Sequence, residues 1–223
     1  PMQKLTVFIV LSSLFLGSCQ FFDRATAQEE KTAGFRASPT VSSEDTGVIM
    51  NKRQLTQVGP RSGEAYFSPD GKSLIFQSER HKDNPFYQIY ILDLETGRTR
   101  LLSSGQGKTT CAWFHPSMKK ALYSSTHLDP QFKSKVQEEL NLRKSQQKAK
   151  YSWSFDETFD IFEIDLASRK TKRLTSMKGY DAEASYSPDG KWILLASNRT
   201  GYEGKMTADE AKLFEQDPSS QME

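Results

Sequence analysis

The chain has 223 residues, a net charge of +2 and 36% hydrophobic residues, which gives enough apolar material for a sizeable core and no charge excess to drive polyanion binding. Lys and Arg are spread along the chain rather than massed on one helix, so nucleic acid has no footprint here. Two cysteines, Cys19 and Cys111, leave no disulfide framework, and if Cys19 carries lipid or leaves with a leader, stability must come from packing alone.

The first residues read as an export leader. Met2, Gln3 and Lys4 make a short basic start, and Leu5 to Leu16 is an apolar run too short to cross a bilayer comfortably. Leu16-Gly17-Ser18-Cys19 resembles a bacterial lipobox, in which Cys19 receives a lipid and becomes the first mature residue; a membrane anchor follows from that reading. The rival is cleavage after Ala25-Thr26-Ala27, which would leave Phe21, Phe22, Asp23 and Arg24 in an unusually long segment before the cut. Residues 1–27 are therefore assigned to a leader and the start of a tether. Residues 28–47, rich in Ser, Thr, Ala and charge without an apolar period, are assigned to a flexible linker.

A folded region is expected over residues 48–223. Arg53-Gln54-Leu55-Thr56 echoes Lys172-Arg173-Leu174-Thr175 and predicts the outer strand of a blade. Tyr66 to Ser78, YFSPDGKSLIFQS, returns as Tyr186 to Ser197, YSPDGKWILLAS, with a worn copy at Trp113 to Ser124 in which His-Pro-Ser-Met replaces Ser-Pro-Asp-Gly. In Pro69-Asp70-Gly71 and Pro188-Asp189-Gly190, proline presets φ, aspartate accepts from nearby backbone, and glycine supplies the positive φ a hairpin needs. The strand after each turn is apolar enough to be covered on both faces. A second hairpin follows twice: Gln88 to Asp93, a turn, then Arg98 to Leu102; and Asp160 to Asp165, a turn, then Lys170 to Thr175. Four antiparallel strands recurring at this interval predict an all-β partial propeller of about two and a half blades.

These repeats resemble the WD-like propeller repeats of the TolB family of bacterial envelope proteins, over about Ile49 to Tyr202. The resemblance implies a propeller fold and a periplasmic protein that binds an envelope partner. It carries over only the turn residues Pro69, Asp70, Gly71, Pro188, Asp189 and Gly190, which are structural. A propeller commonly has four to eight blades, so the incomplete ring is read as the N-terminal part of a longer protein. A partial propeller that closes by self-association is the alternative.

Two helical insertions interrupt the blades. Residues 128–157 begin with Asp129-Pro130, read as N-cap and first helical position, and Phe132, Val136 and Leu140 form an apolar stripe aimed at the propeller face. Tyr151, Trp153 and Phe155 follow as candidate rim aromatics or core residues, and with the stripe they are the candidate partner-binding set. Asp156, Glu157 and Asp160 read as solvated acids. The tail insertion, residues 203–223, contains a short helix capped by Thr207. Both insertions leave from the same hairpin position and so are expected on one face.

Catalytic parts are missing from this stretch. There is no G-x-S-x-G, H-E-x-x-H, Walker-type G-x-x-x-x-G-K-[ST] or CxxC. His81, His115 and His127 are isolated and read as surface or turn residues, and Cys111 as a buried apolar filler. No catalytic residue, metal site or cofactor is assigned. The leading reading is an exported, non-enzymatic scaffold; the alternative is the propeller front of an exported peptidase or other hydrolase whose catalytic domain lies beyond residue 223.

Overall fold

In the computed structural model, residues 54–145, 155–204 and 206–217 are described; the leader, Cys19, the linker, Tyr151 and Trp153 lie outside them. Each apolar run becomes a short strand and each Pro/Gly punctuation a hairpin. Strands β1 (Ser62–Phe67), β2 (Ser73–Ser78), β3 (Gln88–Asp93) and β4 (Thr99–Leu101) form one antiparallel sheet in that order. Strands β5 (Thr109–Phe114), β6 (Lys120–Ser125), β7 (Asp160–Asp165) and β8 (Thr171–Arg173) repeat it. A third sheet has β9 (Asp181–Tyr186) paired with β10 (Ile193–Ser197). The chain is an all-β partial propeller of antiparallel blades. Helix α1 (Phe132–Lys144) sits between β6 and β7, and α2 (Arg199–Tyr202) and α3 (Ala208–Gln216) follow β10.

The repeated turns share one hydrogen-bond plan. In blade one Gly71 N donates to Ser68 O at 2.9 Å and Gly71 has φ 71°; in blade three Gly190 N donates to Ser187 O at 2.9 Å, again with φ 71°. Ser68 Oγ donates to Asp70 Oδ1 at 2.6 Å and Ser187 Oγ to Asp189 Oδ1 at 2.6 Å. The worn copy keeps the geometry with other atoms. Met118 takes the left-handed position at φ 60°, at a cost of about 1 kcal/mol, and Ser117 Oγ lies 2.8 Å from His115 Nδ1. Because His115 Nδ1 also accepts from Ser117 N at 3.0 Å, the ring proton is on Nε2, which donates to Gly190 O at 3.3 Å. The turn of blade two is thereby tied to the turn of blade three.

Strand alternation sends successive residues to opposite sides of each blade, so blade two packs on blade one with one face and on blade three with the other. Ile75, Ile89 and Ile91 of blade one meet Phe114, Tyr123 and Phe162 of blade two; Leu122 and Ile161 of blade two meet Ala184 and Tyr186 of blade three. Each such side chain contributes roughly 1.5–3 kcal/mol when fully buried. The far side of blade one carries Leu74, Phe76, Tyr90 and Leu92, with Leu55 packed against them.

Three sequence expectations need correction. Gln54 to Thr56 form no strand: among the described residues no partner strand flanks them, Leu55 docks on blade one, and the Gln54 side chain donates to Thr56 O at 2.9 Å. Asp129 is not the N-cap of α1. Its Oδ1 accepts from Gln131 N at 2.8 Å, making a local turn through Pro130, and the helix starts at Phe132 after Gln131. Asp156 and Asp160 are buried rather than solvated, because Lys135 and Lys108 reach Asp156 while Arg173 pairs with Asp160. At α3, Thr207 and Glu210 form a complete capping box, with Glu210 N donating to Thr207 Oγ1 and Thr207 N to Glu210 Oε2.

Candidate functional site

The first strand of every blade carries the same irregularity. In β1 the pairing slips between Gly63 and Tyr66, in β5 between Thr110 and Trp113, and in β9 opposite Leu194 and Ala196. Two residues then face one across the ladder, a β-bulge. The first bulged residue is left-handed each time: Glu64 at φ 42°, Cys111 at φ 49° and Glu183 at φ 57°. None is glycine, so each conformation costs about 1–2 kcal/mol, and it recurs three times at one structural position.

The three bulges turn these side chains into a common cleft of about 340 Å³, walled on one side by Tyr66 and Trp113. Those two rings stand 4.6 Å apart at 55°. Cys111 Sγ donates to Glu64 Oε2 at 3.1 Å and lies 3.1 Å from Thr110 Oγ1. Burial, and next the Glu64 carboxylate, push the Cys111 thiol well above its ordinary value, so it is protonated at neutral pH and a poor nucleophile. The Tyr66 hydroxyl is pushed up as well, by burial first and then by the charge of Glu64. Cys111 is therefore no core filler: the bulge lifts it out of the sheet face onto the cleft wall. The cleft offers two carboxylates, a thiol and an aromatic wall, which suits contact with a polar or cationic segment; its one nucleophilic group, the Cys111 thiol, is held in the protonated form.

The expected insertion face is a separate feature. Phe132, Val136 and Leu140 do share one side of α1, but all three are only half-buried, and Lys135 and Glu139 share that side. Phe155 stacks on Tyr180, with ring centroids 5.7 Å apart, beside the edge-on pair Phe159 and Tyr180; it belongs to the lining of the third sheet. In the tail, Tyr202 packs edge-on against Phe214 and its hydroxyl donates to Glu157 Oε2 at 3.0 Å. The histidines are not simple surface groups: His127 lies half-buried against Phe162, 4.3 Å between centroids, and His115 bridges two turns. Among the described residues no three His, Cys, Asp or Glu side chains gather as a metal site requires, and no helix is long and apolar enough to cross a membrane.

Sequence reading did not find Glu64, Cys111 and Glu183 as a group. The signal was there: each lies four residues before the first residue of its Ser-Pro-Asp-Gly or His-Pro-Ser-Met turn. Only the bulge turns that shared offset into a shared direction.

No protein-family profile matches the chain. Over 46 residues, 21% of this chain and 16% of the relative, it is 46% identical to an uncharacterized protein of Agrobacterium fabrum. Over 153 residues, 63% of this chain and 22% of the relative, it is 26% identical to the uncharacterized peptidase YuxL of Bacillus subtilis. The solved structure of a putative TolB from Agrobacterium tumefaciens matches 68% of this chain and 44% of its own length, at 23% identity and a TM-score of 0.49. The chain spans less than a quarter of the length of these curated relatives and under half of that structure.

Proposed function

We propose that this TolB-like stretch is part of an exported, non-enzymatic scaffold of the bacterial cell envelope, which holds a segment of another protein. The observation that carries the reading is the cleft at the three bulges, where three blades hold strained backbone at the same position to present Glu64, Cys111 and Glu183 beside an aromatic wall. Rigid aromatic surface with flanking carboxylates suits a protein segment, and a thiol held protonated argues against covalent chemistry there. The leader sequence supports export, and Cys19 is the proposed lipid attachment point. Phe132, Val136 and Leu140, with Tyr151, Trp153 and Phe155, are proposed as additional contacts where the partner extends over the insertion face.

The scaffold is further proposed to complete a ring with additional blades. Phe67 is 50% exposed, whereas its repeat equivalents Phe114 and Tyr186 are 3% and 8% exposed because a preceding blade covers them. At the other end Trp192 and Leu194 are each 75% exposed, while Ile75, the counterpart of Leu194, is fully buried. Both surfaces are inter-blade surfaces without a blade against them among the described residues.

The test places a photo-crosslinking residue at Trp113 in the full-length protein expressed in a bacterial host, alone and with Glu64→Lys/Glu183→Lys. A discrete protein adduct in the envelope fraction, lost in the double variant, is the expected result; a product retained in the cytosol, or an adduct unaffected by the charge reversal, refutes it. Mass measurement of the mature N-terminus distinguishes lipid on Cys19 from cleavage after Ala27.

The second reading, a propeller front domain of an exported peptidase, is favoured by the likeness to YuxL, whose name gives it as a peptidase. Reading the gene downstream separates the two: further blades and a stop support the scaffold, whereas a G-x-S-x-G or metal-ligand motif supports the hydrolase.

A further inference from the structure

Helix α1 is a 13-residue insertion with no buried residue, yet it is fixed at two points. Near its start, Lys135 Nζ lies 2.6 Å from Asp129 Oδ2 and 2.8 Å from Asp156 Oδ2; Lys108 joins the same cluster at 3.1 Å from Asp156 Oδ2. Eight residues on, roughly 12 Å along the axis, Arg143 crosses to blade one. Its Nη1 is 3.2 Å from Glu79 Oε2, its Nη2 donates to Pro85 O at 2.9 Å, and its Nε pairs with Glu139 at 2.6 Å. Glu79 is held from the other side by Arg61.

The three receiving carboxylates are nearly inaccessible: the side chains of Glu79, Asp129 and Asp156 are 3%, 4% and 4% exposed. Buried carboxylates demand a counter-charge, and removing one partner leaves an uncompensated charge in a poor solvent. Lys135 and Arg143 supply it from a helix whose apolar stripe, Phe132, Val136 and Leu140, is only half-covered. Direction and burial agree: what the propeller offers α1 is charge, and what α1 returns is the neutralisation of acids on two successive blades.

We propose that α1 is a charge latch, a helix clasping blade two to blade one through ion pairs to buried acids rather than through apolar burial. When the Arg143 end lets go, α1 pivots on Lys135 and uncovers Glu79 and the loop at Pro85 while both sheets stay folded. The latch is thus an element able to open locally at a lower free energy than the blades it spans.

The test uses the full chain and a glutamate-specific protease under native conditions, following cleavage after Glu138 beside the global melting curve. Arg143→Gln keeps Arg61 on Glu79, so the blades remain folded, and cleavage is expected to quicken about tenfold with the melting curve little changed. Val136→Ala/Leu140→Ala is expected to cut within about twofold of wild type, since little apolar burial is lost. Lys135→Met is expected to weaken the whole fold, because it strips Asp129 and Asp156 of a shared ammonium. Unchanged cleavage in Arg143→Gln, or equal acceleration by the double alanine variant, overturns the latch and makes α1 an apolar-docked helix.

Discussion

The turn glycines Gly71 and Gly190 have the same φ of 71° and the same repeat position, yet alanine at the two sites should cost different amounts. A Cβ at Gly71 meets nothing within 4 Å, whereas at Gly190 it lands 2.6 Å from His115 Nε2 and 2.7 Å from Cε1. The left-handed conformation costs about 1–2 kcal/mol for alanine, offset by about 0.4–1 kcal/mol from a less free unfolded chain, so Gly71→Ala should destabilise by about 1 kcal/mol. Gly190→Ala carries the same term and also displaces His115. That loses the Nε2 hydrogen bond to Gly190 O, about 1 kcal/mol, and the edge contact with the Tyr186 ring at 4.6 Å, about 0.5 kcal/mol. Its expected cost is about 2.5 kcal/mol. Denaturant unfolding of the full chain followed by far-UV circular dichroism measures both. In a His115→Ala background the penalty at Gly190 should shrink to that at Gly71, a coupling of about 1.5 kcal/mol in a double-mutant cycle. Equal costs at the two glycines, or a cycle that closes without coupling, would show that the two turns are not joined through His115.

The cleft predicts that Glu64→Gln/Glu183→Gln lowers the Cys111 pKa only part of the way, because burial is the larger cause and the carboxylates the smaller; faster alkylation at mildly alkaline pH is the readout, and an unchanged rate contradicts the proximity of the three groups. Burial, then the charge of Arg173, hold the His127 pKa below its ordinary value. Its contribution to stability is therefore complete above about pH 6.5 and is lost as pH falls through the folded value. His127→Phe should flatten the decline in stability below that pH, as measured by urea midpoints across the range. The Asp156 pKa is also lowered: burial is the largest influence and opposes this, but the hydrogen bonds from Lys135 and Thr158 and the nearby charges outweigh it. Its share of stability is present above the ordinary carboxylate pKa and lost as pH drops through the depressed one, so Asp156→Asn should move the onset of acid unfolding; a midpoint identical to wild type would exclude Asp156 as an anchor.

Blades one and two were legible from the chain because their information is local. A turn of Ser-Pro-Asp-Gly type fixes backbone reversal within four residues, and the apolar runs at Leu74 to Phe76 and Ile161 to Ile164 fix which segments need cover on both faces. Even the worn copy could be aligned, since Met118 tolerates the conformation that Gly71 and Gly190 adopt freely. The capping box of α3 is likewise written in two residues three apart. By contrast the start of α1 was misplaced because Asp129 had two uses for its carboxylate, a local turn to Gln131 and an ion pair to Lys135, and only the position of Lys135 in space decides between them.

The amino-acid order alone determined the repeat and the tight hairpins within each blade, since these depend on contacts between near neighbours in the chain. Tertiary structure decided which residues share the cleft, that Asp156 and Glu79 are buried beneath α1, and that His115 reaches Gly190. Those outcomes depend on how one blade stacks on the next, and a bulge of one extra residue in each first strand redirects Glu64, Cys111 and Glu183 in a way that no alternating pattern records.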